Sequence, residues 1–563
     1  MDASNPLGGG PKAGTVSRPP ISISLVAVSS PSHYTLWNAL AVESLAGDLR
    51  GEFDGEVKVS VSRVRSAAEL GSVLRDLKDA KPDAVGISVE CGGVEQSLQL
   101  AAGLSRQEGG APRILFGGKI PTYFPEIFLQ REPAATVVLG EGERPLRGIV
   151  RRLLGREPSH EIPNLAFTDQ AGNVHRTPAE LPGCSDLTHP PSLDTVPELV
   201  DAGVGTLLTQ SSRGCAWSKC TYCTVPSFRR NKKWEPLPWG RTLRHLEALA
   251  SLGVREFEFC DDEFMGGRDG EHLDRIAGIA DDLEALGRNC EGGTAFRIFL
   301  IPHTLYRAGD DAGNSAVVRV LTRLKEVGLT RVYFGVESGS QAQAKRYCRG
   351  TPLEDVVGAL DVVKGLGLGI DCGFIMFDPF ADIEDIDENV KFFRRHGLIE
   401  YNQWPFRPLV ANEGSAFGRI LARQGTLPDP DYMCYRYAFH DPRVQSIFDA
   451  VDCLSSETRS LFYALKVISK THFDPRKETL ESKRARALVI ENGLVYLDLI
   501  ADLISAGGDG SGPPQGLVAR ARGRVCELVS EVAHDLERGV FRDPHGRLRS
   551  EVGKHLPQFE LAV

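Results

Sequence analysis

The chain has 563 residues, of which 42% are hydrophobic and 25% charged, with a formal net charge of -10. That length exceeds what one core organises and predicts roughly three or four domains. No apolar run reaches the ~18–20 residues that span a bilayer, and the acidic balance argues against a wide nucleic-acid footprint.

Residues 1–20 are rich in Gly, Pro and Ser and lack a basic start followed by an apolar core. They read as a disordered leader and not as a secretory signal, which gives the expectation of a cytoplasmic protein. Residues 21–155 alternate strand-length apolar runs (21–28, 84–88, 113–118 and 135–140) with helix-like stretches such as 95–104. The runs are apolar on both faces and close on Gly or Ser, as buried parallel strands do. The pattern predicts a doubly wound, flavodoxin-like α/β domain whose ligand sits at the carboxyl ends of the strands. Residues 156–204 carry many prolines, including Pro190-Pro191, and read as a connector.

From residue 205 a unit repeats. Helical spacing over 242–252, 317–327 and 353–366 stops at Gly253, Gly328 and Gly367, and each stop leads into a strand-like run at 254–259, 332–336 and 370–377. A further helix, 384–396, stops at Gly397. Helix, glycine stop, strand, repeated, predicts a partial β/α (TIM-like) barrel over 205–411. Beyond residue 412 the strand signal fades, and 449–469, 484–505 and 518–538 predict a mainly helical C-terminal domain over 412–563.

Of the twelve cysteines, three cluster in Ser211-Ser-Arg-Gly-Cys215-Ala-Trp-Ser-Lys-Cys220-Thr-Tyr-Cys223. The segment follows the first barrel strand, so it lies on the face where such barrels carry their chemistry. Three thiolates on one loop hold three irons of a four-iron cluster and leave the fourth open to a ligand. Zinc wants four ligands, and no second close Cys or His pair is near. The competing readings are three buried cysteines, or a zinc knuckle completed from afar.

This loop resembles that of the radical S-adenosylmethionine superfamily, and residues 205–400 are similar to its barrel. The resemblance implies a [4Fe-4S] cluster on Cys215, Cys220 and Cys223, with Tyr222 near the adenine of S-adenosylmethionine. Four residues separate Cys215 from Cys220, where the commonest family spacing has three. In the same way Asp261 and Asp262 would contact the methionine amino group, and Glu337 and Ser338 would reach the ribose. Residues 373–378 would flank adenine. Without the resemblance the acidic pair reads as a solvated loop and 373–378 as a core strand.

Residues 21–155 resemble a cobalamin-binding domain, with Ser88, Gly117, Gly118, Gly140 and Glu141 in family-like places; glycines let backbone approach a bulky ligand. The Asp-x-His-x-x-Gly motif of methionine-synthase-like domains is missing. Pro31-Ser-His33-Tyr-Thr-Leu36 has the His alone, and without an orienting acceptor His33 is not expected to ligate cobalt.

The two cofactors together imply a class B radical methyltransferase. Such an enzyme uses methylcobalamin and a 5′-deoxyadenosyl radical to methylate an unactivated carbon, or phosphorus, of a small molecule. Rearrangement, cyclisation or ring contraction on the same domain pair is the alternative. A tRNA methylthiotransferase would need extra N-terminal cluster cysteines, where only Cys91 lies. A corrinoid-binding sensor would leave the cluster loop unexplained. The expected partners are a small-molecule substrate, of a secondary-metabolism kind, and a flavodoxin or ferredoxin electron donor; neither nucleic acid nor membrane is expected. No catalytic side chain is singled out. Residues 229–233 (RRNKK) read as a solvated charge run, with a substrate phosphate or carboxylate as the alternative. Tyr401 and Trp404 read as packing, and Cys348 and Cys372 as small hydrophobes.

Overall fold

Strand β1 (Ile21–Val28) shows how the first domain is built. Ile23, Leu25 and Ala27 enter one core while Val26 and Val28 enter another, because alternate residues of a strand face opposite sides. Helices cover both faces: Leu40–Glu52 and Glu143–Leu153 on one, Ala67–Ala80, Val94–Ser105 and Pro125–Arg131 on the other. The computed structural model describes residues 19–29, 38–106, 110–156, 161–181, 183–470, 474–507, 514–543 and 547–559. His33 and nearly all of the expected leader lie outside the described residues.

Around β1 stand β2 (Val57–Val64), β3 (Ala84–Val89), β4 (Arg113–Gly117) and β5 (Thr136–Val138). They run parallel in the order β2-β1-β3-β4-β5. The chain reverses direction of winding between β1 and β3, and that switch point opens a crevice at the carboxyl ends. The proline-rich segment is more than a connector. Its β6 (Leu165–Thr168) and β7 (Val174–Arg176) form an antiparallel hairpin that extends the sheet to seven strands. Local turn chemistry makes it: Asp169 accepts the N–H groups of Ala171 and Asn173, each at 2.9 Å.

The second sheet begins with β8 (Thr206–Thr209). A two-residue ribbon of β9 (Ser212–Arg213) and β10 (Glu235–Pro236) follows. Then come β11 (Glu256–Phe259), β12 (Ala295–Leu300), β13 (Leu329–Glu337) and β14 (Gly369–Phe374). β8, β11, β12, β13 and β14 are parallel neighbours in that order, an open partial barrel. A lone parallel bridge from Phe377 to Pro408 marks where a sixth strand would lie. Beyond it, β15 (Ala411–Asn412), β16 (Pro428–Asp429) and β17 (Cys434–Tyr435) make a small antiparallel sheet.

Helices Pro442–Ser469, Leu480–Ser505 and Gln515–Glu537 follow. Read from sequence as a separate domain, they share one continuous core with the barrel, in which Phe377 and Phe393 join Leu454, Phe462, Leu488 and Val525. Among the described residues no helix is long and apolar enough to cross a membrane.

β8 is an edge strand, and an edge leaves backbone groups in need of partners. Buried Asn38 supplies them. Its Oδ1 accepts from the Leu208 N–H at 2.8 Å and its Nδ2 donates to the Leu208 carbonyl at 3.3 Å and to Glu43 at 2.8 Å. Asn38→Ala removes these bonds inside the protein and is expected to cost about 2–3 kcal/mol, read as a lower denaturant midpoint. An unchanged midpoint would mean the edge is satisfied otherwise.

His245, on the helix Trp239–Ser251, is 1% exposed and lies 3.0 Å from the Thr209 hydroxyl. Burial, helped by the Arg241 charge, lowers its pKa from 6.5 to about 3, so the folded state holds the ring neutral. Between those values the unfolded chain binds the extra proton. Stability therefore falls as pH drops from 6.5 towards 3, by up to about 1.4 kcal/mol per pH unit from this group. His245→Leu should flatten the measured stability–pH slope by that amount, and an unaltered slope would assign acid sensitivity elsewhere.

Candidate functional site

The cluster loop hangs between β9 and β10, whose pairing ties its two ends together. Asp261, one residue beyond Cys260 at the end of β11, fixes its entry. Its carboxylate accepts from Ser211 N–H at 2.8 Å, Ser211 Oγ at 2.7 Å and Ser212 N–H at 2.7 Å. Asp262 accepts from the Gly214 N–H at 3.0 Å. Gly214 sits at φ +83°, and a Cβ there would lie 2.7 Å from the Lys233 carbonyl oxygen, so only glycine fits. The chain then turns through Cys215, Cys220 and Cys223.

All twelve cysteines are free. The three thiols are half-buried, and burial pushes Cys220 up to about 12 and Cys223 to about 11. Left alone they hold their protons; a bound metal is what turns such groups into thiolates. Sulfur-directed donors are in place. The backbone of Trp217 and Ser218 hydrogen-bonds Cys215, and the Val225 N–H lies 3.4 Å from the Cys223 sulfur. Arg349 adds positive charge beside Cys220 and Lys119 beside Cys223. Hydrogen bonds and charge around the sulfurs are levers that tune an iron–sulfur cluster. Among the described residues no three His, Cys, Asp or Glu side chains converge as the ligands of one ion do. A four-iron cubane takes its cysteines at separate corners, so the donor set fits a cluster and not a single ion.

Behind the loop, the barrel interior gathers Tyr222, Glu337 and Arg349. Tyr222 packs edge-on against Tyr347 at 5.4 Å. Glu337 has a left-handed backbone at φ 65°, a conformation that costs a non-glycine residue about 1–3 kcal/mol and clusters at functional sites. Burial raises its carboxyl, opposed by the Arg349 charge. Neighbouring glycines make room for it: a Cβ at Gly373 would come within 3.0 Å of Glu337 Oε1 and 2.8 Å of Tyr333 Oη.

Two expectations from the resemblance change here. Asp261 is 1% exposed and spent on Ser211 and Ser212, so it holds the loop and presents nothing to a ligand. Ser338 is fully buried, donating to Gln343 Oε1 at 2.6 Å and accepting from Ser340 N–H at 3.0 Å, and it braces the end of β13.

Facing the loop across the domain boundary is a cavity of about 610 Å³. Ser88, Gly117, Gly118, Gly140 and Glu141 line it from the first sheet, and Leu208, Gln210, Arg213, Cys260 and Asp262 from the second. The carboxyl ends of both sheets thus open into one space. At Gly117 and Gly140 a Cβ would meet nothing within 4 Å; the room beside them is the cavity itself, and side chains there would fill it. A mostly apolar crevice with glycine walls at a topological switch point suits a large planar cofactor.

Glu141 is also an anchor, 3.3 Å from Arg213 and 3.2 Å from Arg229. Arg229 is 3% exposed and also pairs with Glu235 at 2.9 Å. It is therefore neither a solvated charge nor a free substrate clamp.

Comparison with known proteins identifies two domains. Residues 209–393 match the model of the radical SAM superfamily and residues 32–150 that of the B12 binding domain. The chain carries a radical SAM domain and a B12-binding domain. A [4Fe-4S] cluster, S-adenosylmethionine and cobalamin are the cofactors of these two domains.

Among curated relatives it is 29% identical to a 4'-phospho-dehydrooxetanocin synthase of Priestia megaterium, over 60% of this chain and 46% of that protein. It is 24% identical to an uncharacterized methyltransferase of Pyrococcus horikoshii, over 65% of this chain and 74% of that one. The chain thus spans less than half the length of the first of these. In fold it is similar to the cobalamin-dependent S-adenosylmethionine radical enzyme OxsB with aqua-cobalamin and S-adenosylmethionine bound. The TM-score is 0.80 at 21% identity, covering 96% of this chain and 84% of that one. The radical S-adenosylmethionine methyltransferase TsrM from Kitasatospora setae, with cobalamin and [4Fe-4S] cluster bound, gives 0.54 at 17% identity, covering 72% and 78%.

The motif drew attention to the cysteines, Asp262 and the glycines. It gave no role to Arg349, Arg213 or Lys119, whose partners at the site lie far along the chain. Replacing Cys215, Cys220 or Cys223 singly by Ala should cut the iron bound after anaerobic reconstitution by about tenfold or more and bleach the visible absorbance. Exposed Cys453→Ala should leave both unchanged. Full iron in any of the three variants would remove that residue from the ligand set.

Proposed function

We propose that this chain is a cobalamin-dependent radical methyltransferase that modifies an unactivated carbon, or phosphorus, of a small-molecule intermediate. The observation carrying the reading is the single cavity shared by the glycine-walled crevice of the first domain and the strand ends beside the cluster loop. When bound, the cluster supplies the electron that cleaves S-adenosylmethionine, and the corrinoid supplies a methyl group. The chain's own part is to hold and aim. Cys215, Cys220 and Cys223 anchor the cluster, and Asp262, through Gly214, sets the loop's height. Tyr222 and Glu337 offer a ring and a carboxylate where a nucleoside would lie, and the helices Pro442–Ser469 and Leu480–Ser505 wall the open side against water. A flavodoxin or ferredoxin is the proposed electron donor.

A second reading, rearrangement or ring contraction without methyl transfer, draws on the relative named 4'-phospho-dehydrooxetanocin synthase. It also draws on the likeness to OxsB, which extends over 96% of this chain.

Anaerobic reconstitution with iron, sulfide and hydroxocobalamin should give about four irons and one corrinoid per chain. Gly117→Phe should abolish corrinoid retention while iron stays. With methyl-deuterated S-adenosylmethionine and candidate substrates, a product heavier by one labelled methyl is expected. Turnover to 5′-deoxyadenosine with an isomerised or contracted, unmethylated product would select the second reading. A wild-type protein that keeps iron but no corrinoid would overturn both.

A further inference from the structure

The barrel interior contains cations that the site described above does not use. Arg297 on β12 pairs with Glu258 and lies 3.4 Å from Asp371. Arg331 on β13 lies 3.4 Å from Asp371, and Lys470, at the end of the helix Pro442–Ser469, lies 2.7 Å from it. Those two carboxylates are thereby taken. Arg407 and Lys466 remain, each 5.4 Å from the centre of the Trp404 indole and within electrostatic reach of one another. Among the described residues neither has a carboxylate within ion-pairing distance.

Arg407 comes from the segment that replaces a sixth barrel strand, where its backbone carbonyl accepts from the Met376 N–H at 3.1 Å. Tyr333 and Tyr463 lie within electrostatic reach of its guanidinium. The side chain remains accessible to solvent although burial lowers its pKa. Trp404 is 7% exposed, and among the described residues its buried indole N–H has no acceptor. A buried donor left unfilled is costly unless a ligand completes it, and two cations without a counter-charge stand beside this one. The ring itself contributes too little to balance two charges, at about 1–2 kcal/mol per cation–π contact.

We propose that Arg407 and Lys466, beside Trp404, form an oxyanion subsite that anchors a phosphate or carboxylate group of the substrate. This rests on the reading that the barrel interior is the substrate chamber. Arg407 offers a planar fork suited to two oxygens and Lys466 a point charge. The subsite lies beside Tyr333 and Cys372, on the same two strands that carry Glu337 and Gly373. An anion held there directs the rest of the molecule along the barrel axis, towards the strand ends. Burial and the charges of Lys470 and Arg407 push the Lys466 amine well below its usual value; an arriving oxyanion favours the protonated form.

The test uses the protein loaded with iron and corrinoid, and needs no turnover. Reductive methylation of lysines is followed by peptide mass spectrometry with increasing inorganic phosphate, and in a second arm with acetate. Saturable protection of Lys466 by phosphate is expected, weakened at least about tenfold in Arg407→Gln, the loss of one charge-assisted contact pair. Protection by acetate but not phosphate would assign the subsite to a carboxylate. Lys466 labelled at the same rate at every concentration of both anions would overturn the proposal, as would equal protection in Arg407→Gln. If that variant fails to load its cofactors, calorimetric titration of phosphate into Lys466→Met decides: affinity equal to wild type sinks the subsite. Failure of cofactor loading in the wild-type protein would count against the proposed function and not against this site.

Discussion

One half-buried arginine holds the two halves of the active region in register. Arg213 stands two residues before Cys215, and its guanidinium is gripped by Glu141 from the loop after β5 and by Glu143 at the start of the helix that follows. Burial alone would raise the Glu143 carboxyl; the Arg213 charge and hydrogen bond instead bring it down to about 2. Glu141, sharing itself between Arg213 and Arg229, stays above its ordinary value because burial outweighs those weaker contacts. Removing one member of such a pair strands a charge in the interior, at roughly 3–5 kcal/mol. The distance from crevice to cluster loop is thus set by charge pairing between domains, with Asn38, bonded to Leu208 of β8, as a second, uncharged fastening.

That fastening explains why the cavity faces the way it does. Both sheets point their carboxyl ends at the boundary, so ligands of either domain meet there. The helical segments complete the arrangement from the other side. They enter the barrel's own core, and the end of Pro442–Ser469 delivers Lys466 and Lys470 into the gap left by the missing strands. A barrel of five parallel strands would otherwise expose β14; here the segment around Arg407 and the long helix cover it.

What could be read from the sequence follows from how local each signal is. β1, β3, β4 and β5 are apolar on both faces and stand out. β2 does not, because Lys58 and Ser60 face water at the sheet edge. β12 hides behind Arg297, a charge that makes sense in a strand only once Glu258 and Asp371 are seen across the barrel. The β6–β7 hairpin was masked by the prolines around it. The cysteines were legible because their spacing is contained in one loop. Asp261 and Ser338 were assigned to ligands by position, yet their side chains turn to neighbouring backbone and amide groups. Arg349 had no signal, since its place beside Cys220 and Glu337 comes from a turn more than a hundred residues after the cysteine loop.

The space around Glu337 has a genetic consequence. A Cβ at Gly335 would sit 2.1 Å from Glu337 Oε1, and one at Gly373 3.0 Å from the same oxygen. The carboxylate occupies volume vacated by two side chains on adjacent strands. These three positions are therefore not free to drift one at a time. A methyl gained at either glycine would press on the far end of the Glu337 side chain, which would have to swing aside or shorten. Substitution at either glycine would therefore be felt first as a displaced acid and only then as a disturbed strand.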